Sequence, residues 1–372
     1  YLGVDPTRRS LTGTGGYVKV GRKGNAKWNF SETFTWSSPG FDLNDMGYMK
    51  ETDYLMNETE IMYRQTDIWK IFRYNAFTLS QKNMWNYGGT PFSNNASLRW
   101  QSMTMNRYEW DVKETFAWNW LDSRLLRGGP DVRFGSYFLT SAKFNTDKAK
   151  RMMFMLKYEG DHNFEGNRFN TISPSLTFRL GNHVYLSGQL DYAWNTDEMQ
   201  YVATTSPLSS SSLAPYYYVM GHMDQKTYGL TLKLQVNVTP DISIQFYGAP
   251  FTSIAKYDDF KLAADTKSHT FENRFQRIDP DQLTYADGVY TIGEGAGQMP
   301  FRNPDFRFNE FRSNLVARWE YLPGSTLYFV WEHRMSNRDN WYSSGWGSNL
   351  DRMWGLPATN TFMIKMNYWF NL

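Results

Sequence analysis

Residues 228–238 set Tyr228, Leu230, Leu232, Leu234, Val236 and Val238 against Gly229, Thr231, Lys233, Gln235 and Asn237. Successive side chains of a strand point to opposite faces, so this segment carries one apolar and one polar face. The same period of two recurs where Val184, Leu186, Leu190, Tyr192 and Trp194 oppose Ser187, Gln189 and Asp191. It recurs where Trp110, Val112, Phe116, Trp118 and Trp120 oppose Asp111, Lys113, Thr115 and Asn119. Later, Leu315, Ala317, Trp319 and Tyr321 oppose Asn314, Arg318 and Glu320, and Leu327, Phe329 and Trp331 oppose Thr326, Glu332 and Arg334. The last segment sets Phe362, Ile364, Met366, Tyr368 and Phe370 against Lys365 and Asn367. Helical stripes are scarce. The pattern predicts an all-β chain with fifteen strands, at 14–21, 26–36, 51–64, 69–85, 95–106, 109–120, 132–145, 149–159, 168–180, 183–204, 216–238, 241–254, 306–321, 325–336 and 361–370.

The links between these strands alternate. Seven short ones, at 21–25, 65–68, 107–108, 146–148, 181–182, 239–240 and 322–324, interleave with seven long ones, at 37–50, 86–94, 121–131, 160–167, 205–215, 255–305 and 337–360. Outer-membrane barrels have short turns on one rim and long loops on the other. Aromatic residues make up 18% of the chain, and a water-facing wall of Trp, Phe and Leu would aggregate, whereas lipid requires one. The expected fold is a transmembrane up-and-down antiparallel β-barrel of about 14–16 strands, either complete or part of a larger barrel, in the bacterial outer membrane. The barrel region covers 1–372, with 255–305 as a long extracellular or inward-folded loop acting as plug or cap. Leu230, Leu232, Leu234, Val236, Leu327, Phe329 and Ile364 are expected to face lipid. Lys233, Gln235, Asn237, Arg318, Glu320, Glu332, Arg334 and Lys365 are expected to line the lumen, with Arg and Glu of neighbouring strands forming ladders that hold a filled interior. Trp110, Trp120, Trp319, Tyr321 and Tyr368 are candidates for the interfacial girdle, and Phe370 for the terminal assembly signal. Expected partners are membrane lipid, the barrel-assembly machinery during insertion, and a glycan or surface lipoprotein.

Four stretches carry a family resemblance: SSPGFDLNDMGY at 37–48, VTPDISIQFYGAPFTS at 238–253, NPDF at 303–306 followed by SNLVARWEYLPGSTLY at 313–328, and FMIKMNYWF at 362–370. Together they resemble the C-terminal barrel region of a Bacteroidota outer-membrane family of unknown function, from about Trp28 to the last residue. Members of that family join the barrel to an N-terminal domain similar to carbohydrate-binding family 9. The resemblance implies an outer-membrane barrel tied to glycan handling through that domain; with no catalytic motif in these residues, the expected role is non-catalytic: structural, anchoring or transport-related. The alternative is a surface module that binds or hydrolyses glycans with its long loops. Within the first stretch, Pro39, Gly40, Phe41, Asn44, Asp45 and Gly47 indicate a folded loop that caps the barrel or contacts a partner.

Charge and candidate chemistry narrow the function further. The net charge is only +2, which lacks the basic excess of a nucleic-acid binder. The absence of cysteine excludes disulfide scaffolds, thiolate zinc sites and a cysteine nucleophile. The histidines His162, His183, His222, His269 and His333 show no metal-ligand spacing, and His222 with Asp224 reads as a polar rim pair. Gly13-Thr14-Gly15-Gly16 lacks the strand–turn–helix setting of a nucleotide site and reads as linker glycine. Asp279-Pro280-Asp281 with Asp287 departs from calcium-loop spacing. Asp258, Asp259, Asp279 and Asp281 are the candidates for a glycosidase carboxylate pair. No catalytic motif stands out, and no cofactor or metal is expected. An odd strand count, with a chain opening at Tyr1, predicts further strands upstream unless 183–204 or 216–238 hides a turn.

Overall fold

A computed structural model describes residues 7, 9–44, 46–49, 51–118, 120–208, 215–340 and 346–370. They fall into two compact units, one drawn from 1–142, 160–166 and 261–277, the other from 143–159, 167–260 and 278–372. In the first, β1 (Gly15–Arg22), β2 (Trp28–Ser37), β3 (Tyr54–Gln65), β4 (Phe72–Trp85), β5 (Pro91–Thr104) and β6 (Glu109–Trp118) pair antiparallel in chain order. A small hairpin of β7 (Trp120–Asp122) and β8 (Val132–Phe134) precedes β9 (Tyr137–Asn145). Cross-strand register stacks Phe30, Ile61, Leu79 and Leu98 in one apolar row across β2 to β5. Their exposures are 54%, 43%, 55% and 56%, so this row faces outward from the protein. On the opposite face Ser80 and Ser97 share a hydrogen bond of 2.6 Å, and Arg99 donates from Nε to Asp111 at 2.7 Å.

After β9 come β10 (Met152–Asn163), β11 (Arg168–Leu180), β12 (Val184–Thr205), β13 (Tyr217–Asn237) and β14 (Ile242–Ala263). The short β15 (Phe275–Arg277) pairs with the end of β14 at Lys261 and belongs to the first unit. A separate three-stranded sheet follows, of β16 (Leu283–Ala286), β17 (Val289–Ile292) and β18 (Met299–Arg302). The long strands resume with β19 (Phe306–Leu322) and β20 (Ser325–Asp339), then α1 (Trp346–Trp354) and β21 (Ala358–Asn367). In the second unit the order is β11-β12-β13-β14-β19-β20-β21, all antiparallel where register is defined.

Burial changes along the second unit's strands. On β13 the part from Tyr228 to Asn237 has no buried residue, whereas Val219, Met220 and Met223 near its other end are enclosed. On β14 the start is open, but Ile254, Ala255 and Phe260 are buried, as is Met199 on β12. Phe260 packs against Tyr290 and Phe301 of the small sheet at ring separations of 4.9 and 5.1 Å. The same strands therefore have an open stretch beside the short turns and a conventional dry core beyond it.

Each predicted strand is present at least in part, with moved boundaries, except that the one expected at 132–145 is two: β8 pairs with β7, and only β9 joins the large sheet. β5 begins at Pro91 and β10 extends to Asn163, so the links expected at 86–94 and 160–167 shrink to 86–90 and 164–167. Asn94 and Asn95 are polar, yet the ladder to Asn83 and Lys82 of β4 satisfies their backbone and prolongs the strand. β12 and β13 are each continuous, so neither hides a turn. The link expected over 255–305 is not one loop: β14 carries its first nine residues, and β15 to β18 organise much of the rest. The fold is all-β with extensive antiparallel pairing, but no closed barrel forms among the described residues, where the strand order begins at β1 and finishes at β21. Among those residues, no helix is long and apolar enough to cross a membrane, which leaves crossing by strands open.

One buried ion pair organises the first unit. Arg274, 1% exposed, donates to Glu165 from Nη1 and Nη2 at 3.0 and 2.7 Å. Its remaining donors go to the carbonyls of Ser268, Arg133 and His269, and Glu165 accepts the Gly135 N–H at 2.9 Å.

Candidate functional site

The polar face of the second unit is where side chains able to handle a ligand collect. Register puts Lys233, Gln235, Thr231 and Gly229 of β13 on the same face as Tyr185, Ser187, Gln189 and Asp191 of β12. Leu230, Leu232, Leu234 and Val236 lie on the other. Across β19 to β21 one face holds Arg318 with Tyr328 and Lys365, Asn314 with Glu332 and Thr361, and Arg312 with Arg334 and Thr359. The opposite face holds Leu327, Phe329, Ile364, Met366 and Trp319. Asn237 caps the short-turn end, donating its side-chain amide to the Asn182 carbonyl at 3.2 Å.

Among the concavities along the polar face, two adjoin at Tyr247. One, of about 380 Å³, is lined by Tyr185, Lys233, Gln235, Gln245, Tyr247 and Asn314. The other, of about 340 Å³, is lined by Asp191, Thr227, Thr231, Phe251, Glu310 and Arg312, with Tyr247 common to both. Amides, hydroxyls and aromatic rings outnumber charges there, a donor and acceptor set suited to hydrated, hydrogen-bonding solutes.

The ion pairs differ from the expected ladder. Arg318 pairs with Glu320 on its own strand at 2.6 Å, and Arg334 reaches Glu310 at 2.9 Å rather than Glu332. Glu310 also takes Arg312 at 2.9 Å, so one carboxylate separates two guanidiniums that register sets directly opposite each other. Without it, like charges face to face would destabilise the pairing. Sequence reasoning missed Glu310 and Arg312 because period two fixes a face but not a cross-strand neighbour.

The girdle candidates divide. Trp319 packs near Tyr321 at 6.0 Å, and Tyr368 contacts Phe370 at 4.7 Å beside the last strand. Trp110 is exposed at the start of β6. Trp120 does not end that strand: it belongs to the β7–β8 hairpin and packs at a tilt against Phe134 and Tyr137 at 6.0 and 5.3 Å.

The loop motif at 37–48 is held by the glycine run, which is not a linker. A Cβ on Gly13 would sit 2.1 Å from the Phe41 nitrogen, and one on Gly40 would sit 2.3 Å from the Thr12 carbonyl oxygen. Only glycine permits that backbone contact. Ser38 N–H donates to the Thr14 carbonyl at 2.9 Å, and Asn44 accepts the Met49 N–H at 3.1 Å. Pro39 precedes this contact, and Gly47 has open space around it. Asp45 lies outside the described residues.

Beyond the open stretch, His222 is held by Glu198 at 3.1 Å and lies 3.6 Å from Asp224. Burial opposes its charged form, but the Glu198 hydrogen bond and the charges of Glu198, Asp224 and Asp258 hold its pKa above the ordinary value. Asp305 of the NPDF stretch accepts the Tyr257 N–H at 2.7 Å, and burial pushes its carboxyl pKa up. That motif thus ties the start of β19 to β14. Asp287 belongs to a hairpin turn, with Asp287 and Gly288 both at positive φ between β16 and β17, and Asp279 precedes a 3₁₀ turn containing Asp281. Among the described residues, no three His, Asp or Glu side chains gather as metal ligands.

Residues 5–372 match a family model described as a domain of unknown function (DUF5916). No curated protein and no solved structure matches the chain.

Proposed function

We propose that this chain, which belongs to the DUF5916 family of domains of unknown function, crosses the bacterial outer membrane as antiparallel strands. One observation carries the reading. Large apolar side chains stand exposed in register on one face, as in the row Phe30, Ile61, Leu79 and Leu98, which Glu32, Thr59 and Gln81 follow on that same face, and as in Leu186, Leu190 and Leu232, with Ser187, Gln189 and Lys233 on the opposite one. In water each such residue, about half exposed, forgoes roughly half of the ~1.5–3 kcal/mol that full burial supplies. In lipid the same face is solvated, and the belt ends where the strands acquire a dry core. The polar face then lines an interior whose Glu310, Arg312 and Arg334 cluster and aromatic side chains narrow the passage.

The role this supports is non-catalytic: a barrel wall that anchors neighbouring domains or passes hydrophilic solutes. A link to glycan handling, through a carbohydrate-binding domain of a Bacteroidota surface protein, extends the reading and rests on the resemblance of the four motifs. Membrane fractionation tests the crossing itself. The chain should resist alkaline carbonate and urea, require detergent for release, and run faster on gels when unheated. Release by carbonate alone would overturn it.

A further inference from the structure

We infer that α1 is an interfacial helix that seats Trp354 in the lipid headgroup layer at the long-loop rim, an inference resting on the membrane-crossing reading above. The apolar face of β12 runs from Val184 to Trp194, ~34 Å along the strand at ~3.4 Å per residue and ~26 Å in height at a tilt of ~40°. That equals the ~25 Å belt a barrel needs. On β19 to β21 the apolar face stops sooner. Trp319, Ala317 and Leu315, with Leu327, Phe329 and Trp331 opposite, give way to a row of Ser313, His333 and Asn360. From Tyr321 to Leu315 the height is only ~16 Å by the same arithmetic.

α1 lies against β19 and β20 above that row. Leu350, Met353 and Trp354 share one helix face by spacing, with Asp351 and Arg352 turned away. Met353 is buried, whereas Trp354 is 57% exposed at the edge of this stripe with its ring 4.9 Å from that of Phe311. Phe311 continues the face of Trp319 and Tyr321, so its row restores a height of ~26 Å. His333 and Asn360 of the intervening polar row hydrogen-bond each other at 2.9 Å, which lowers the cost of their position near the interface. A tryptophan at that level presents its rings to acyl chains and its N–H to headgroups. The helix ends at once in Gly355, Leu356 and Pro357, and the chain re-enters the sheet at Ala358.

The chain contains no cysteine, so single labels need no background removal. Spin labels on W354C, I364C and R352C of the full chain, reconstituted in phospholipid nanodiscs, report depth through relative access of oxygen and a water-soluble nickel chelate. The expected order has I364C in hydrocarbon, W354C at the headgroups and R352C in water. If I364C reads as buried in lipid while W354C reads like R352C, the interfacial helix is refuted and the crossing reading stands. If I364C itself is open to the nickel chelate, the crossing reading fails and takes this inference with it.

Discussion

Replacing Glu165 with Gln should loosen the segment 261–277 without unfolding the strands beside it. The substitution keeps the shape and one acceptor but strips the countercharge from Arg274, which is 1% exposed and spends its donors on Glu165 and three carbonyls. Removing one partner of a buried pair costs about 3–5 kcal/mol because the survivor stays charged and desolvated. Glu165 retains 13% exposure, so water can partly replace it and the lower end, ~3 kcal/mol, applies. At ~1.4 kcal/mol per tenfold, amide protection should fall about a hundredfold. The reporting amides are those of Ala264, bonded to the Arg274 carbonyl at 2.8 Å, and Asp265, bonded to the Asn273 carbonyl at 3.3 Å. Hydrogen exchange read by mass spectrometry on 261–277 measures this. A double change to Glu165→Leu and Arg274→Met should recover most of the protection, since no lone charge remains. A loss below about threefold in the single variant, or no recovery in the double, would refute the assignment of this pair as the segment's anchor.

Leu232→Arg should reduce the folded fraction in micelles by the ~2–4 kcal/mol of a charge at mid-bilayer, while Lys233→Leu should be tolerated. Equal tolerance, judged by unheated gel mobility, would mean the two faces are assigned the wrong way. Gly324 holds a φ of 78° with a built Cβ 3.1 Å from that of Trp369, so Gly324→Ala should cost about 1–2 kcal/mol in urea unfolding. No measurable change there would show that the turn relaxes freely. The raised pKa of His222 means that its protonated form adds stability below the unfolded pKa, and that this contribution fades as pH rises through the folded one. Amide protection around 217–224, corrected for intrinsic exchange, should therefore weaken on the alkaline side. Glu198→Gln should lower the His222 titration followed by NMR, and an unshifted titration would show that Glu198 is not its partner.

Strands were legible wherever one face was apolar throughout, as in β13 from Tyr228 to Asn237, because period two then has no competitor. Boundaries were lost where polar residues continue a ladder. β14 was expected to stop at Ile254, yet Tyr257, Asp258, Asp259 and Lys261 extend it, supported by Asp305 and by pairing with β15. The β16–β17 hairpin carried a readable signal in Asp287-Gly288, whose paired positive φ values suit a tight hairpin turn, but its four-residue strands are too short to show alternation. α1 was not foreseen: Leu350, Met353 and Trp354 stand at helical spacing, but nine residues inside a long polar link are too few for the period to stand out. The partners of Arg318, Arg334 and Gly13 were out of reach, since strand registers and loop contacts are decided in three dimensions.

A ladder that repeats apolar and polar residues every second position looks nearly the same after sliding by two, and a fluid hydrocarbon layer would barely penalise the slip. Between Leu230 and Val236 four aliphatic residues alternate with Thr231, Lys233 and Gln235, so this part barely favours one alignment over the next. The irregularities of β12, between Asp197 and Gln200 and between Tyr201 and Ala203, fall in the part that meets Met220 and Val219. There a two-residue displacement would drive polar groups into a closed apolar space and strand the bulges. The alignment of β12 on β13 is thus decided at its ends, by these bulges at one and by Asn237 on Asn182 at the other, like a zip whose teeth are uniform between its box and its stop.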